Sequence, residues 1–342
     1  MGVAVLLAGT VAMLPLLVDT VWNQRIGLAA IYGIIGLSVN VITGHAGQVS
    51  LGHQAFVGIG AFMSAFVVST LDLGFLVGLV FASVTGAAMA AVLGLVSLRV
   101  RGLYLALVTL AFGLTAETTI FNWRAFTGGG AGAPAPRPEL LASNRAYAYL
   151  CLLALALAVL LDWRLVKTKT GRAIVALRTE ERIAATFGIN VTAYKVLAFV
   201  ISGFLAGFAG SLFAHWNGHV QALDFNFQVA LVWVLMAVVG GLGSRAGVVI
   251  GSAFFAIFPL LLPASTITLP LLGDTIVQVL TPFIGALLLL LTLTAFPGGI
   301  GQQLLPIRRW LAGGPLLHRH EHRPGPHGVA AGDAAGDEGT DG

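Results

Sequence analysis

Long apolar runs constrain the fold of this chain more than any other feature. They lie at about residues 1–22, 26–43, 55–70, 74–97, 102–121, 146–161, 196–215, 227–242, 246–262 and 275–295. A helix needs about 20 apolar residues to cross the hydrocarbon core of a bilayer. The runs predict an all-α fold, a polytopic integral membrane bundle of about ten spans. A water-soluble alternative fails on composition. Of the residues, 57% are hydrophobic and 9% are charged, against about 25% charged in an ordinary soluble domain. So few charges cannot cover a surface that faces water. The 44 glycines are scattered through the apolar runs without a strict repeat, which suits close helix packing in lipid. The single cysteine, Cys151, excludes an internal disulfide framework. The first run, Met1 to Val21, has no Lys or Arg ahead of it and reads as a retained span.

Basic residues in short loops set the orientation. Seven of the 18 basic residues fall in one loop: Arg164, Lys167, Lys169, Arg172, Arg178, Arg182 and Lys195. That loop, 162–195, is expected in the cytoplasm. Two spans back, Arg99 and Arg101 fall on the same side, and forward so do Arg245 and then Arg308 and Arg309. Arg25 is taken as an exception. Residues 1–310 form the expected membrane domain. The tail, 311–342, is rich in Gly, Pro, His, Asp and Ala, and is expected to be disordered and cytoplasmic. Its His318, His320 and His322 read as solvated residues.

Three segments carry information beyond hydropathy. The first, Gly44 to Gln54, interrupts an apolar stretch that otherwise continues from Ile26 to Thr70. Such a break is either a polar turn at the surface or a broken, re-entrant segment. Irregular backbone at membrane depth is tolerated only when buried in protein or lining an aqueous cavity, and transporters use such breaks along the solute route. Gln48, Ser50 and His53 are its candidate path residues. His45 and His53 have no Cys or carboxylate nearby in sequence, so no metal site is expected.

The second segment is the basic loop. Thr179 is a candidate N-cap, Glu180 and Glu181 oppose the helix dipole, and Gly188 is a natural stop. These predict a two-turn helix outside the membrane with Ile183, Ala184 and Phe187 on one apolar face. A helix that short is marginal alone, so docking against another protein would account for it. The third feature is the spacing of Gly203 with Gly207, and of Gly243, Gly247 and Gly251. Small residues four apart let helices approach closely in lipid.

What the chain lacks narrows its function. None of its three lysines follows a glycine, so there is no phosphate-binding loop of the G-x-x-x-x-G-K-[ST] type. No loop outside the membrane is long enough to fold as a capture domain. No nucleophile–base or metal set is visible, so an enzyme is not expected, and neither cofactor nor nucleic acid is implied. Glu117 is the one deep candidate for proton coupling; its alternative is a hydrogen-bonded residue near the outer surface.

At this point the residues resemble a known family. The stretch Leu37 to Gly44, then Gly47 to Ala61, resembles the opening signature of branched-chain amino acid permeases of the ATP-binding-cassette type. Arg101 to Phe112 is similar to a second stretch typical of their M-type subunit, and Thr127-Gly128-Gly129 to a third. Gly171-Arg172-Ala173 through Gly188-Ile189-Asn190, followed by Tyr194-Lys195, looks like that family's coupling loop. Gly240 to Ser244 fits as well. After Gly129 the chain departs, running Pro- and Ala-rich to Pro136.

The resemblance implies a multi-pass permease of the bacterial inner membrane. Its partners would be a second, H-type permease, two cytoplasmic ATPase subunits and an external solute-binding protein. Gly171, Arg172, Arg178, Glu181, Arg182, Ala184, Phe187 and Gly188 would then form the ATPase coupling segment, and Thr127 would join the candidate path. The expected activity is import of branched-chain or other small amino acids without covalent chemistry. Alternatives are the same machine for urea, short amides or a sugar, and a proton-coupled secondary carrier.

Overall fold

A computed structural model describes residues 18–261 apart from Arg101 and Glu180, together with Pro15, Leu16 and Leu287. The expected span at 275–295, most of that at 1–22, and the tail at 311–342 lie outside the described residues.

Each apolar run between residues 26 and 262 is occupied by one helix. These are α1 (Thr20–Val39), α2 (His53–Ser69), α3 (Phe75–Val96), α4 (Leu103–Thr115), α6 (Asn144–Lys167), α9 (Val191–Asn217), α10 (Phe227–Gly240) and α11 (Arg245–Leu261). A short α5 (Arg124–Thr127) follows α4, while α7 (Lys169–Thr179) and α8 (Glu181–Thr186) fill the basic loop. Among the described residues, five helical segments are long and apolar enough to cross a membrane: Thr20–His45, Phe75–Val96, Leu103–Ile120, Asn144–Lys167 and Val191–Asn217. Those at His53–Ser69, Phe227–Gly240 and Arg245–Ile257 are apolar but shorter. Lipid-type faces are visible as apolar residues left uncovered at helical spacing, such as Leu153, Leu157 and Leu160 on α6, and Leu76, Val80 and Val84 on α3.

Polar residues at the helix starts fix where three of these elements begin. Ser143, Asn190 and Asn226 accept the backbone N–H of Ala146, Ala193 and Val229 and so cap α6, α9 and α10. Each such cap stabilises its helix by about 1 kcal/mol.

The long helix α9 is central, packed on α1, α2 and α3. It gets close because it carries glycine where its neighbours carry backbone. A Cβ at Gly203 would strike Ala90 Cβ and Gly86 O, and one at Gly207 would strike Ala82 O. At Gly210 it would strike Val57 O. Any side chain there forces the helices apart, which costs about 1–3 kcal/mol even for small additions. Gly243 lies in the turn between α10 and α11 at φ +89°. The helical contact there is made by Gly240, where a Cβ would fall 2.5 Å from Gly247 O.

The two ends of the bundle differ in charge. Asp162 near the end of α6 joins His45 after α1 and Arg245 at the start of α11. Gly94 of α3 abuts Val196 and Phe199 of α9. Arg99, the 164–178 basic residues, Lys195 and Arg245 therefore gather at one end, called here the basic end. Arg25 is at the opposite end, but it is not alone: Arg124, Arg137 and Arg145 are there too. Arg137 is used internally. It donates to His215 O at 2.8 Å, to Trp216 O at 2.5 Å and to Asn144 Oδ1 at 2.7 Å, and lies over the Tyr147 ring. A cation on the last carbonyls of a helix is stabilising, by about 0.3–1 kcal/mol. It also staples the Pro- and Ala-rich stretch, whose Ala133–Pro134 pairs antiparallel with His219–Val220.

Candidate functional site

The chain leaves regular geometry at the basic end of α1. Asn40–His45 widen into a π-helical turn, a distortion often found at functional sites. Asn40 Oδ1 accepts the Gly243 N–H at 2.7 Å, fastening the α10–α11 turn to it. His45 Nε2 lies 2.9 Å from Asp162 Oδ1, and Arg245 Nε donates to Asp162 Oδ2. The Asp162 side chain is fully buried. A buried carboxylate persists only when paired, so this acid locks α1, α6 and α11 together.

The basic loop closes over the same turn from outside. The helix α7 buries Ala173, Ile174 and Leu177, and Ile174 packs with Ala46 and with Ala198 of α9. Arg178 donates through Nη1 to Gly44 O at 2.7 Å, and its stem is 3.1 Å from where a Cβ on Gly47 would sit. Glu181, opening α8, takes Lys195 Nζ at 2.5 Å and the Gln48 amide at 3.3 Å. Lys195 is 2% exposed. Thus Arg178 and Glu181, expected on a partner-facing surface, spend these bonds on the chain's own broken segment.

Other residues of the loop point outward. Phe187 is 81% exposed and Ile183 56%, whereas Ala184 of the same small helix is buried. Gly188 sits at φ +76° and Ile189 N–H closes onto Ala184 O at 3.1 Å, ending α8 as its sequence predicts. Arg172 is exposed and donates to Lys167 O at 2.7 Å. Gly171 is buried where a Cβ would strike Leu165 O. The Arg182 side chain lies outside the described residues. Thr179, the candidate N-cap, ends α7.

From Ala46 the chain turns back inside the bundle. His53 starts α2 against Ser38 of α1, seven residues before His45. At 1.5 Å per residue this is about 10 Å in from that end. Ala46, Gln48, Ser50 and His53 are buried, while Gly47 and Val49 open outward. The Leu51 N–H donates to Thr109 Oγ1 at 2.9 Å, and Gly52 touches the Thr109 carbonyl closely enough to exclude any Cβ. The segment is thus packed within the chain at Ala46, Gln48, Ser50 and Gly52 and uncovered at Gly47 and Val49.

The four candidate path residues are not brought to one place. Gln48 is joined to the loop through Glu181. Ser50 and His53 lie together at the start of α2. Thr127 is at the opposite end, donating to Phe121 O at 2.8 Å and to Trp123 O at 3.1 Å. Glu117 Oε2 accepts the Phe227 N–H at 3.0 Å and so caps the start of α10. No group of three or more His, Cys, Asp or Glu could hold a metal ion among the described residues.

Sequence reasoning missed Asn40, Thr109, Gln54 and the Asp162 group, as well as the whole of α7. A signal for α7 was present in the apolar spacing of Ala173, Ile174 and Leu177. Arg245 sits where an apolar run starts and reads as a marker of topology, while Asp162 merely bounds the basic loop.

Comparison with known proteins agrees with this architecture. The family described as branched-chain amino acid transport system / permease component matches residues 24–293. The high-affinity branched-chain amino acid transport permease LivM of Salmonella typhimurium is 32% identical over 259 residues, covering 67% of this chain and 61% of that protein. LivM of Escherichia coli gives the same figures. The nucleoside ABC transporter permease NupC of Lactococcus lactis is 30% identical over 106 residues, 30% of this chain and 32% of that one. The chain thus spans 61% of the length of the LivM proteins it matches. With a match that runs through every helix described above, this chain belongs to the branched-chain amino acid transport permease family.

Proposed function

We propose that this chain is one permease subunit of an ATP-driven importer for branched-chain or other small amino acids in a bacterial inner membrane. It works beside a second, H-type permease, two ATPase subunits and an external solute-binding protein. The similarity to LivM supports the substrate class. The excess of Lys and Arg at the basic end supports a cytosolic position for the 162–195 loop, and about ten spans with a cytosolic C-terminus complete the topology.

One observation carries the mechanism: the α7–α8 loop has two faces. Its outer face presents Phe187 and Ile183, and its inner face holds the broken segment through Arg178, Ile174 and Glu181. An exposed aromatic at the end of a short helix on a basic surface is an anchor for a protein partner. When the ATPases close, they push on α8, and the push reaches Gly44–Gln48 and, through Lys195, the start of α9. Ser50 and His53 face the solute path, Gln48 connects it to the loop, and Thr127 shapes the opposite mouth.

The test is Phe187→Asp in the importer reconstituted with its partners. Leucine uptake should fall at least tenfold, with ATP turnover no longer stimulated by the binding protein. Uptake at the wild-type rate contradicts the reading. A second substrate reading, nucleosides, rests on the NupC similarity over 106 residues. Direct uptake of leucine against uridine by the wild-type importer separates the two.

A further inference from the structure

We infer that the first turn of α2 is a recognition site for the charged head group of a zwitterionic amino acid, with Gln54 as a residue of that site beside Ser50 and His53. This inference rests on the importer reading above.

Buried polar atoms almost always have hydrogen-bond partners, and each exception needs a reason. Among the described residues, Ser50 Oγ, His53 Nδ1, Gln54 Nε2 and Gln54 Oε1 are buried without one. Four such atoms thus fall within five consecutive residues. Those at Asn23, Trp233 and Ser252 are scattered one to a residue. The place is also a helix start: α2 begins at His53 behind Gly52, with no side chain capping its first N–H groups. Helix N-termini attract carboxylates, and transporters point the ends of broken helices at the carboxylate of their solute.

The hydrogen-bond network also ties His53 to Ser38 of α1. Ser38 Oγ reaches Ser202 O at 3.1 Å. A carbonyl can only accept, so the single hydroxyl proton of Ser38 goes there. With the Ser38 proton on Ser202 O, the short contact between Ser38 Oγ and His53 Nε2 is donated by the ring. In the neutral imidazole this leaves Nδ1 as a bare acceptor. An acceptor suits an ammonium group. The Ser50 hydroxyl and the N–H groups of the first turn suit a carboxylate, and the Gln54 carboxamide can serve either. Space for that carboxamide comes from Gly113 of α4, where any Cβ would collide with Gln54 Nε2. The break that leads to this turn is uncovered at Gly47 and 43% exposed at Val49.

Ser50→Ala and Gln54→Met remove three of the four orphaned atoms with little change of shape. If these atoms only pack, swapping them for apolar groups is neutral or stabilising and nothing else changes. As ligand contacts, each should be worth about tenfold in transport, the scale of one hydrogen bond to a charged group. The experiment measures radiolabelled leucine uptake by proteoliposomes holding the complete importer. Assembly is followed by size exclusion and stability by the melting midpoint. The proposal expects uptake to fall about tenfold or more, with assembly intact and the midpoint unchanged or raised. Wild-type uptake by both variants overturns it. So does a lowered midpoint or loss of the second permease, because the atoms would then serve the fold or the interface. A wild-type importer that carries nucleosides and no amino acid sinks the importer reading itself, a result distinct from either.

Discussion

Two polar clusters lie about 10 Å apart along α1, and they are built on opposite principles. At the basic end, the Asp162 carboxylate has a partner on each oxygen, Lys195 has Glu181, and Gly44 O has Arg178. At the first turn of α2, four buried polar atoms have none. The first cluster is finished, and its bonds join five helices and the broken segment into one body. The second gains nothing from the fold as it stands. Paired charges locate what holds and transmits; unpaired atoms locate what waits for a solute.

Removing a paired group should therefore cost far more stability than removing an unpaired one. The largest effect is expected for Asp162→Ala, which strands Arg245 beside His45. Breaking a buried pair costs about 3–5 kcal/mol, so a collapse of the melting midpoint should be visible in detergent. Lys195→Met comes next, at about 2–3 kcal/mol, less because Glu181 keeps some solvent contact. Adding Glu181→Gln to Lys195→Met should recover most of that loss, since replacing both members of a buried pair is often neutral. Failure of the double variant to recover would mean that Glu181 matters more through Gln48. Ser50→Ala and Gln54→Met belong at the other extreme, within about 0.5 kcal/mol of wild type or above it. The smallest change is expected for Phe187→Ser, an exposed position where substitutions stay within about 0.5 kcal/mol, although coupling to the ATPases should be lost. If all of these variants melt alike, the contrast between the clusters is empty.

The helices were readable because lipid imposes a length and a polarity on each span, and the runs 26–43 and 146–161 needed no tertiary information. The break was readable too, because Gly44 to Gln54 cannot continue an apolar helix quietly. Its depth was not. That depends on Ser38, Thr109 and Ser202 converging from three helices, and each of these alone is an unremarkable hydroxyl in an apolar run. Asp162 and Arg245 are 83 residues apart, and each at a helix end could as well have reached for water. The expected helix at 180–187 was found at Glu181–Thr186, but α7 was overlooked because its basic residues masked the apolar spacing beneath them. Arg178 and Glu181 were legible as charged loop residues. Only the fold shows that both bond to the broken segment.

The central claim is that force applied to the α7–α8 loop moves the broken segment beneath it. Cys151 is buried, so a spin label can be placed selectively at Val49→Cys, with a second at Leu157→Cys on the uncovered face of α6. The distance between them should be measured by pulsed electron resonance in the complete importer, with and without ATP. The distance should change on adding ATP in the otherwise wild-type chain and stay constant when Arg178→Ala and Gln48→Ala are added. An unchanged distance during active leucine uptake would contradict the mechanism.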